Sequence, residues 1–258
     1  MTARATGLGA ALLLAAATVD AQGIAARVRA AGTGTVRLEY AARAGVCGNG
    51  RGFISAGGRR VVHGAGRDEW EDDCEPGPVR LAIDVSGGEV TAIRAYVGGR
   101  WRGSAATELG RVGAREAAAF LLDLAAHGSG RAARDAIFPS GLADSTENWT
   151  QLLRIARDES RPREVRRDAV FWVAQAAADE ATRGLRAVVG DDALDRDVRE
   201  QAVFALSQRP KAEAIPALLQ IAQTHRDKEI RRKAIFWLGQ SNDPRAVDYF
   251  ARVLERDD

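Results

Sequence analysis

Three twelve-residue segments of the C-terminal half superpose without gaps: Glu164–Gln175, Asp197–Gln208 and Glu229–Gln240. Each reads Arg-Xaa-Xaa-Ala, then an apolar residue, Phe, an apolar pair, a small residue and Gln. The arginines Arg166, Arg199 and Arg231 stand 33 and then 32 residues apart, and a second set keeps the same beat: Leu152–Ala156, Leu185–Val189 and Leu218–Ala222. A unit of this length holding two apolar segments is a helix pair. Such a pair cannot bury its apolar face alone and must stack on copies of itself.

Within the first-type segment Val165, Ala169, Trp172, Val173 and Ala176 fall on one helical face, as do Val198, Ala202, Ala205, Leu206 and Arg209 one repeat later. The small residue common to all three, Ala169, Ala202 and Ala234, lets neighbouring helices approach closely. Asp195 and Asp227 stand where an N-cap oxygen is needed, each with an acid two residues on, and Pro162 plays the initiating part in the earlier repeat. Pro216 is compatible with a first helical turn, which predicts a helix start near Ile215. Stepping 33 residues back from Asp168 lands on Asp135 within Arg134–Phe138, so a degenerate repeat begins near Gly130. The helix-forming run Ala114–Ala126 before it reads as a cap on the stack.

The pattern resembles HEAT repeats of the short type named after phycobilisome lyases, over residues 112–258 and about four helix pairs. The resemblance implies an α-solenoid that holds a protein partner. It implies no chemistry, because no residues match the bilin-attaching site of the namesake enzymes.

Residues 22–103 follow a different period. Val36, Leu38 and Tyr40 alternate with Arg37 and Glu39, and Val79–Val85 and Glu89–Val97 flank Ser86-Gly87-Gly88, a hairpin signature. Gly52–Ile54 and Arg59–Val62 read as shorter strands. The fold class is therefore α+β, a small β-rich domain followed by the solenoid. Cys47 and Cys74 are the chain's two cysteines and are expected to pair if the chain is exported. The acidic run Asp68–Glu75 matches no calcium loop and reads as solvated.

Export is what residues 1–21 suggest. Arg4 precedes an apolar stretch, Leu8–Val19, too short to span a bilayer, and Val19-Asp20-Ala21 forms a small-residue cleavage site before Gln22. A periplasmic or secreted protein without stable membrane insertion follows from that reading. The near balance of 37 Lys and Arg against 35 Asp and Glu gives no field for nucleic acid.

The side chains that recur invite a functional reading. Arg166, Arg199 and Arg231 suit bidentate recognition of an acidic group, or pairing with acids along a solvated helix face. Trp172 and Trp237 are candidate partner anchors, or core. His63, His127 and His225 lack metal-ligand spacing with the cysteines, and neither a hydrolytic triad nor a phosphate loop is legible. The expectation is a monomeric, non-catalytic interaction scaffold with no cofactor. The alternative is an enzyme or enzyme accessory with a small-molecule site where strands meet solenoid, using Glu69–Glu75, Arg100 or Arg102. A third reading is an envelope sensor switched by reduction of the cysteine pair.

Overall fold

A computed structural model describes residues 23–56, 59–62, 74–101, 103, 105–144, 148–175 and 179–255. The chain opens with α1 (Ile24–Ala30), followed by β1 (Gly34–Tyr40), β2 (Val46–Gly48), β3 (Phe53–Ala56), β4 (Arg59–Val62), β5 (Glu75–Pro76), β6 (Val79–Ser86), β7 (Glu89–Val97) and β8 (Thr107–Arg111). Two four-stranded sheets result, ordered β7-β6-β1-β8 and β4-β3-β2-β5.

Alternation decides the faces of the first sheet. Val36, Leu38 and Tyr40 pair across β6 with Ile83, Leu81 and Val79, which in turn pair with Ile93, Ala95 and Val97 of β7. All nine are buried and form one apolar plane. Their neighbours Arg37, Glu39, Arg80, Arg94 and Tyr96 belong to the opposite face. The β6–β7 turn uses Gly87 and Gly88 at φ 59° and 81°, the left-handed pair that a two-residue hairpin needs. The second sheet crosses the end of the first where Gly48 abuts Val97, so closely that a Cβ there would stand 2.7 Å from the Val97 carbonyl oxygen. The expected disulfide is present: Cys47 of β2 joins Cys74, with Cα atoms 5.2 Å apart.

Two elements go beyond the sequence reading. Helix α1 buries Ile24 and Val28 in the common core, and its first amide donates to Glu116 Oε1 at 3.3 Å. Strand β8 pairs parallel to β1, carrying the sheet past residue 103 to Arg111, almost to the first solenoid helix. The acidic run expected to be solvated lies outside the described residues except for Cys74 and Glu75.

The helices are α2 (Ala114–His127), α3 (Gly130–Leu142), α4 (Asn148–Arg157), α5 (Arg163–Val173), α6 (Asp179–Val189), α7 (Arg196–Ser207), α8 (Lys211–Thr224), α9 (Lys228–Gly239) and α10 (Pro244–Leu254). Antiparallel pairs α2/α3, α4/α5, α6/α7 and α8/α9 stack so that even-numbered helices form one row and odd-numbered helices the other. Ala169, Ala202 and Ala234 are fully buried in the odd row, whose members pack more closely on one another than the even ones do.

Helix α8 does not begin near Ile215. Lys211–Ala214 extend it by a full turn from Pro210, and Pro216 sits in its interior, where it removes one intrahelical bond. Asp195 is likewise not a capping acceptor. It occupies the N-cap position of α7, but its carboxylate is taken by Arg166, whereas Asp227 does accept from the Glu229 amide at 2.9 Å.

Sheet and array share one core. The Tyr40 hydroxyl crosses from the apolar plane to donate to the Pro139 carbonyl at 2.6 Å, and its burial pushes the phenol pKa well up. The Arg43 amide donates to Leu142 O at 2.9 Å and the Asp144 amide to Ala41 O at 3.0 Å, so strand-end backbone and helix-end backbone satisfy each other.

Candidate functional site

The recurring arginines are structural in position. Arg166 and Arg199 are 5% and 7% exposed, not displayed along a solvated face. Each reaches from one odd-row helix to the acid that precedes the next: Arg166 to Asp195, and Arg199 to Asp227 at 3.2 Å with Asp192 at 3.0 Å. Their period is thus the period of the stack. Arg231, in α9, donates instead to the carbonyls of His225 at 2.6 Å and Arg226 at 3.0 Å. The Asp227 carboxyl lies below its ordinary pKa because the Glu229 amide hydrogen-bonds it, with the Arg196 and Arg199 charges adding to the effect.

A second polar seam was not singled out from the sequence. Arg209 is buried at a position on the apolar face, where it donates to Thr182 Oγ1 at 2.9 Å, Glu213 Oε2 at 3.0 Å and the Ala174 carbonyl at 3.3 Å. Burial pushes the Glu213 carboxyl up, but hydrogen bonds from Thr182 and Arg209 outweigh it and hold the group below its usual value.

The aromatic residues form a file along the odd row. Phe138 lies 5.5 Å from Trp172, Trp172 5.4 Å from Phe171, Phe171 6.4 Å from Phe204, Phe204 5.0 Å from Trp237 and Trp237 5.0 Å from Phe236, between ring centroids. Burial falls along the file. Trp172 is 6% exposed and is core, wedged under the Arg43 guanidinium at 5.9 Å, whereas Phe236 is 54% exposed. Trp237 is half-buried, and its indole N–H meets no acceptor among the described residues. Beside it a hollow of about 320 Å³ is walled by Phe204, Trp237, Arg167, Glu200 and Lys233, the last two ion-paired at 3.0 Å. This stretch of the odd-row face has an aromatic floor with charges of both signs at its edge.

A family model, PBS lyase HEAT-like repeat, matches residues 198–224 and 230–256, which are helix pairs α7/α8 and α9/α10. The chain carries HEAT-like repeats. The family's unit couples an odd-row helix with the even-row helix that follows it, and the same spacing extends to α3 without a family match. No curated protein matches the chain.

Of the residues expected at a junction site, Glu75 is exposed and accepts from the Gly99 amide at 2.8 Å, while Arg100 lines a hollow on the outer sheet face, away from the solenoid. Residues 69–73 and Arg102 lie outside the described residues. Among the described residues no group of three His, Cys, Asp or Glu side chains is placed to hold a metal, and no helix is long and apolar enough to cross a membrane.

Proposed function

We propose that this HEAT-like repeat protein is an exported, non-catalytic scaffold of the cell envelope or secreted space, and that its odd-row face holds a protein partner. HEAT-like arrays suit protein binding because their curvature presents an extended surface on rigid helices. The observation that carries the reading is the graded aromatic file ending in Trp237 and the exposed Phe236, rimmed by Lys233, Glu200 and Arg167. Aromatic anchors within a charged rim are the composition of interface hot spots. Export rests on the apolar segment and cleavage pattern of residues 1–21, and the Cys47–Cys74 disulfide suits an oxidising compartment.

The test is crosslinking capture from a native envelope fraction, comparing the full chain with F236S and K233E. Both residues are surface-accessible, so neither change should unfold the array. A partner captured by the full chain and depleted ten-fold or more by either substitution is the expected result. Equal capture by all three chains would remove the odd-row face from the reading, and localisation of the chain to the cytoplasm would remove export.

A further inference from the structure

The outward face of the first sheet carries a cluster that the solenoid does not use. Cross-strand pairing places Arg37 opposite Ala82 and Ala82 opposite Arg94, with Arg80 opposite Tyr96 one row along. A methyl group among long side chains leaves a hollow, and the loop after β7 folds Trp101 over it, edge-on to Tyr96 at 5.9 Å. The cavity measures about 360 Å³ and receives five arginines, Arg37, Arg51, Arg80, Arg94 and Arg100.

Two of these are neutralised. Arg94 forks onto Asp84 at 2.5 and 2.9 Å, and Arg37 pairs with Glu108 at 3.2 Å while lying 4.6 Å above the Trp101 ring. Arg51, Arg80 and Arg100 have no ion-pair partner among the described residues. Arg80 is the decisive one. Only 7% exposed, with its guanidinium carbon 5.7 Å from the Trp101 ring centre, it makes no side-chain hydrogen bond among the described residues, and its Nε is buried without an acceptor. Glu39 and Glu75 act on it through longer-range charge, and burial still lowers its pKa. A buried guanidinium without a hydrogen-bonded counter-charge is costly, and a cation–π contact offsets that cost only in part. It is the condition of a site whose anion is supplied from outside.

We propose that this hollow binds a phosphate monoester carried on a small polar body such as a sugar or glycerol. Three guanidinium groups without an ion-pair partner match a dianion better than a monocarboxylate. The Ala82 floor and the Tyr96 and Trp101 walls provide apolar surface for the body of the ligand, and the volume exceeds what a bare phosphate fills. A soluble ester and a phospholipid headgroup offer the same chemistry.

The test is calorimetric titration of the full chain with glucose 6-phosphate, glycerol 3-phosphate and inorganic phosphate, in a buffer free of phosphate and sulfate. Co-sedimentation with phosphatidylcholine vesicles with and without phosphatidic acid runs beside it. Variants R80Q, A82V and the exposed-arginine control R232Q are compared after their melting curves are matched to wild type. Saturable binding of one ester, or of phosphatidic acid vesicles alone, that weakens at least ten-fold in R80Q and A82V and is unchanged in R232Q supports the site and tells its source. Should R80Q fail to fold, A82V decides, since it fills the floor and leaves every arginine in place. No saturable binding, binding as tight in A82V as in wild type, an equal loss in R232Q, or inorganic phosphate bound as tightly as the esters would each overturn the proposal.

Discussion

Gly141 sits in α3 under the ring of Trp172, and a Cβ added there would stand 2.2 Å from Cε3, 2.5 Å from Cδ2 and 2.9 Å from Cζ3 of the indole. Carbon atoms pack at roughly 3.5 to 4.0 Å, so the ring would have to retreat by more than about 1 Å. It has little room, held by Phe138 at 5.5 Å, Phe171 at 5.4 Å and the Arg43 guanidinium at 5.9 Å, between centroids or from the guanidinium carbon. Overpacking of this kind costs about 1–3 kcal/mol, while replacing glycine by alanine inside a helix returns about 0.5–1 kcal/mol. G141A is therefore expected to be destabilised by about 1–2 kcal/mol, lowering Tm by about 2–8 °C for a chain of this size. Two companions isolate the cause. A Cβ added at Gly184 would stand 2.3 Å from the Leu153 Cδ1 methyl, a flexible branch that can swing away, so G184A should be near neutral; one added at Gly239 would meet nothing within 4 Å, so G239A should gain slightly. Thermal melts followed by helical ellipticity measure all three. A G141A chain as stable as wild type would refute the wedge, because the helix-propensity gain would then stand unopposed.

Removing the disulfide by C47S/C74S releases a crosslink spanning 27 residues, which chain entropy values at roughly 3.5 kcal/mol. Denaturant unfolding should show that loss in the signal of the strand region, with helical ellipticity before the transition unchanged; an unaltered midpoint would show that the loop is already constrained by other contacts. Asp243, the N-cap of α10, is hydrogen-bonded by the Arg245 side chain and backbone, which lower its pKa to about 2 against an unfolded value near 3.9. The unfolded chain binds the proton more readily, so this contribution is complete above about pH 4 and is lost as pH falls toward 2. Protection of the α10 amides, taken relative to the intrinsic exchange rate at each pH, should fall over that window in wild type and show a flatter dependence in D243N.

The solenoid was legible because its signal is redundant. The period, the buried alanines and the apolar face each specify the same helices, and they do so three times. The arginine pairing was half legible: acids follow Arg166 and Arg199 by 29 and 28 residues, but only the fold shows that this separation bridges one repeat to the next and buries the guanidinium. Asp195 illustrates a competition that sequence leaves open, since a carboxylate before a helix can serve the backbone or a guanidinium, and here the guanidinium wins. Helix α1 and strand β8 carry too little periodicity to announce themselves; Thr107–Arg111 is mostly exposed and holds its place by backbone pairing to β1. The sheet arginines were invisible as a cluster for a different reason. Arg37, Arg80 and Arg94 share a face only once β1, β6 and β7 are put in register, and each alone is an ordinary outward residue of an alternating strand.

The two kinds of contact between repeats divide the array. From α5 onward, adjacent odd-row helices are stitched by buried guanidinium groups paired with part-exposed carboxylates. Between α3 and α5 the stitch is missing, because Ala133 holds the arginine position and Pro162 the acid position. The Trp172 indole fills that junction by seating against Gly141, and Arg43 covers it from the strand side, donating to the Gln175 carbonyl at 3.2 Å. Buried ion pairs add little net stability compared with apolar packing but penalise any arrangement that separates them, so they set register along the stack. An aromatic wedge sets it by shape. Helix α3 therefore serves the sheet as much as the array: its Pro139 carbonyl accepts from Tyr40 and its Asp135 carboxylate from the Ile93 amide at 3.2 Å. The sheet's apolar plane covers the end of the odd row as a further repeat would, which leaves its arginine face and the solenoid's aromatic face as separate surfaces on one shared core.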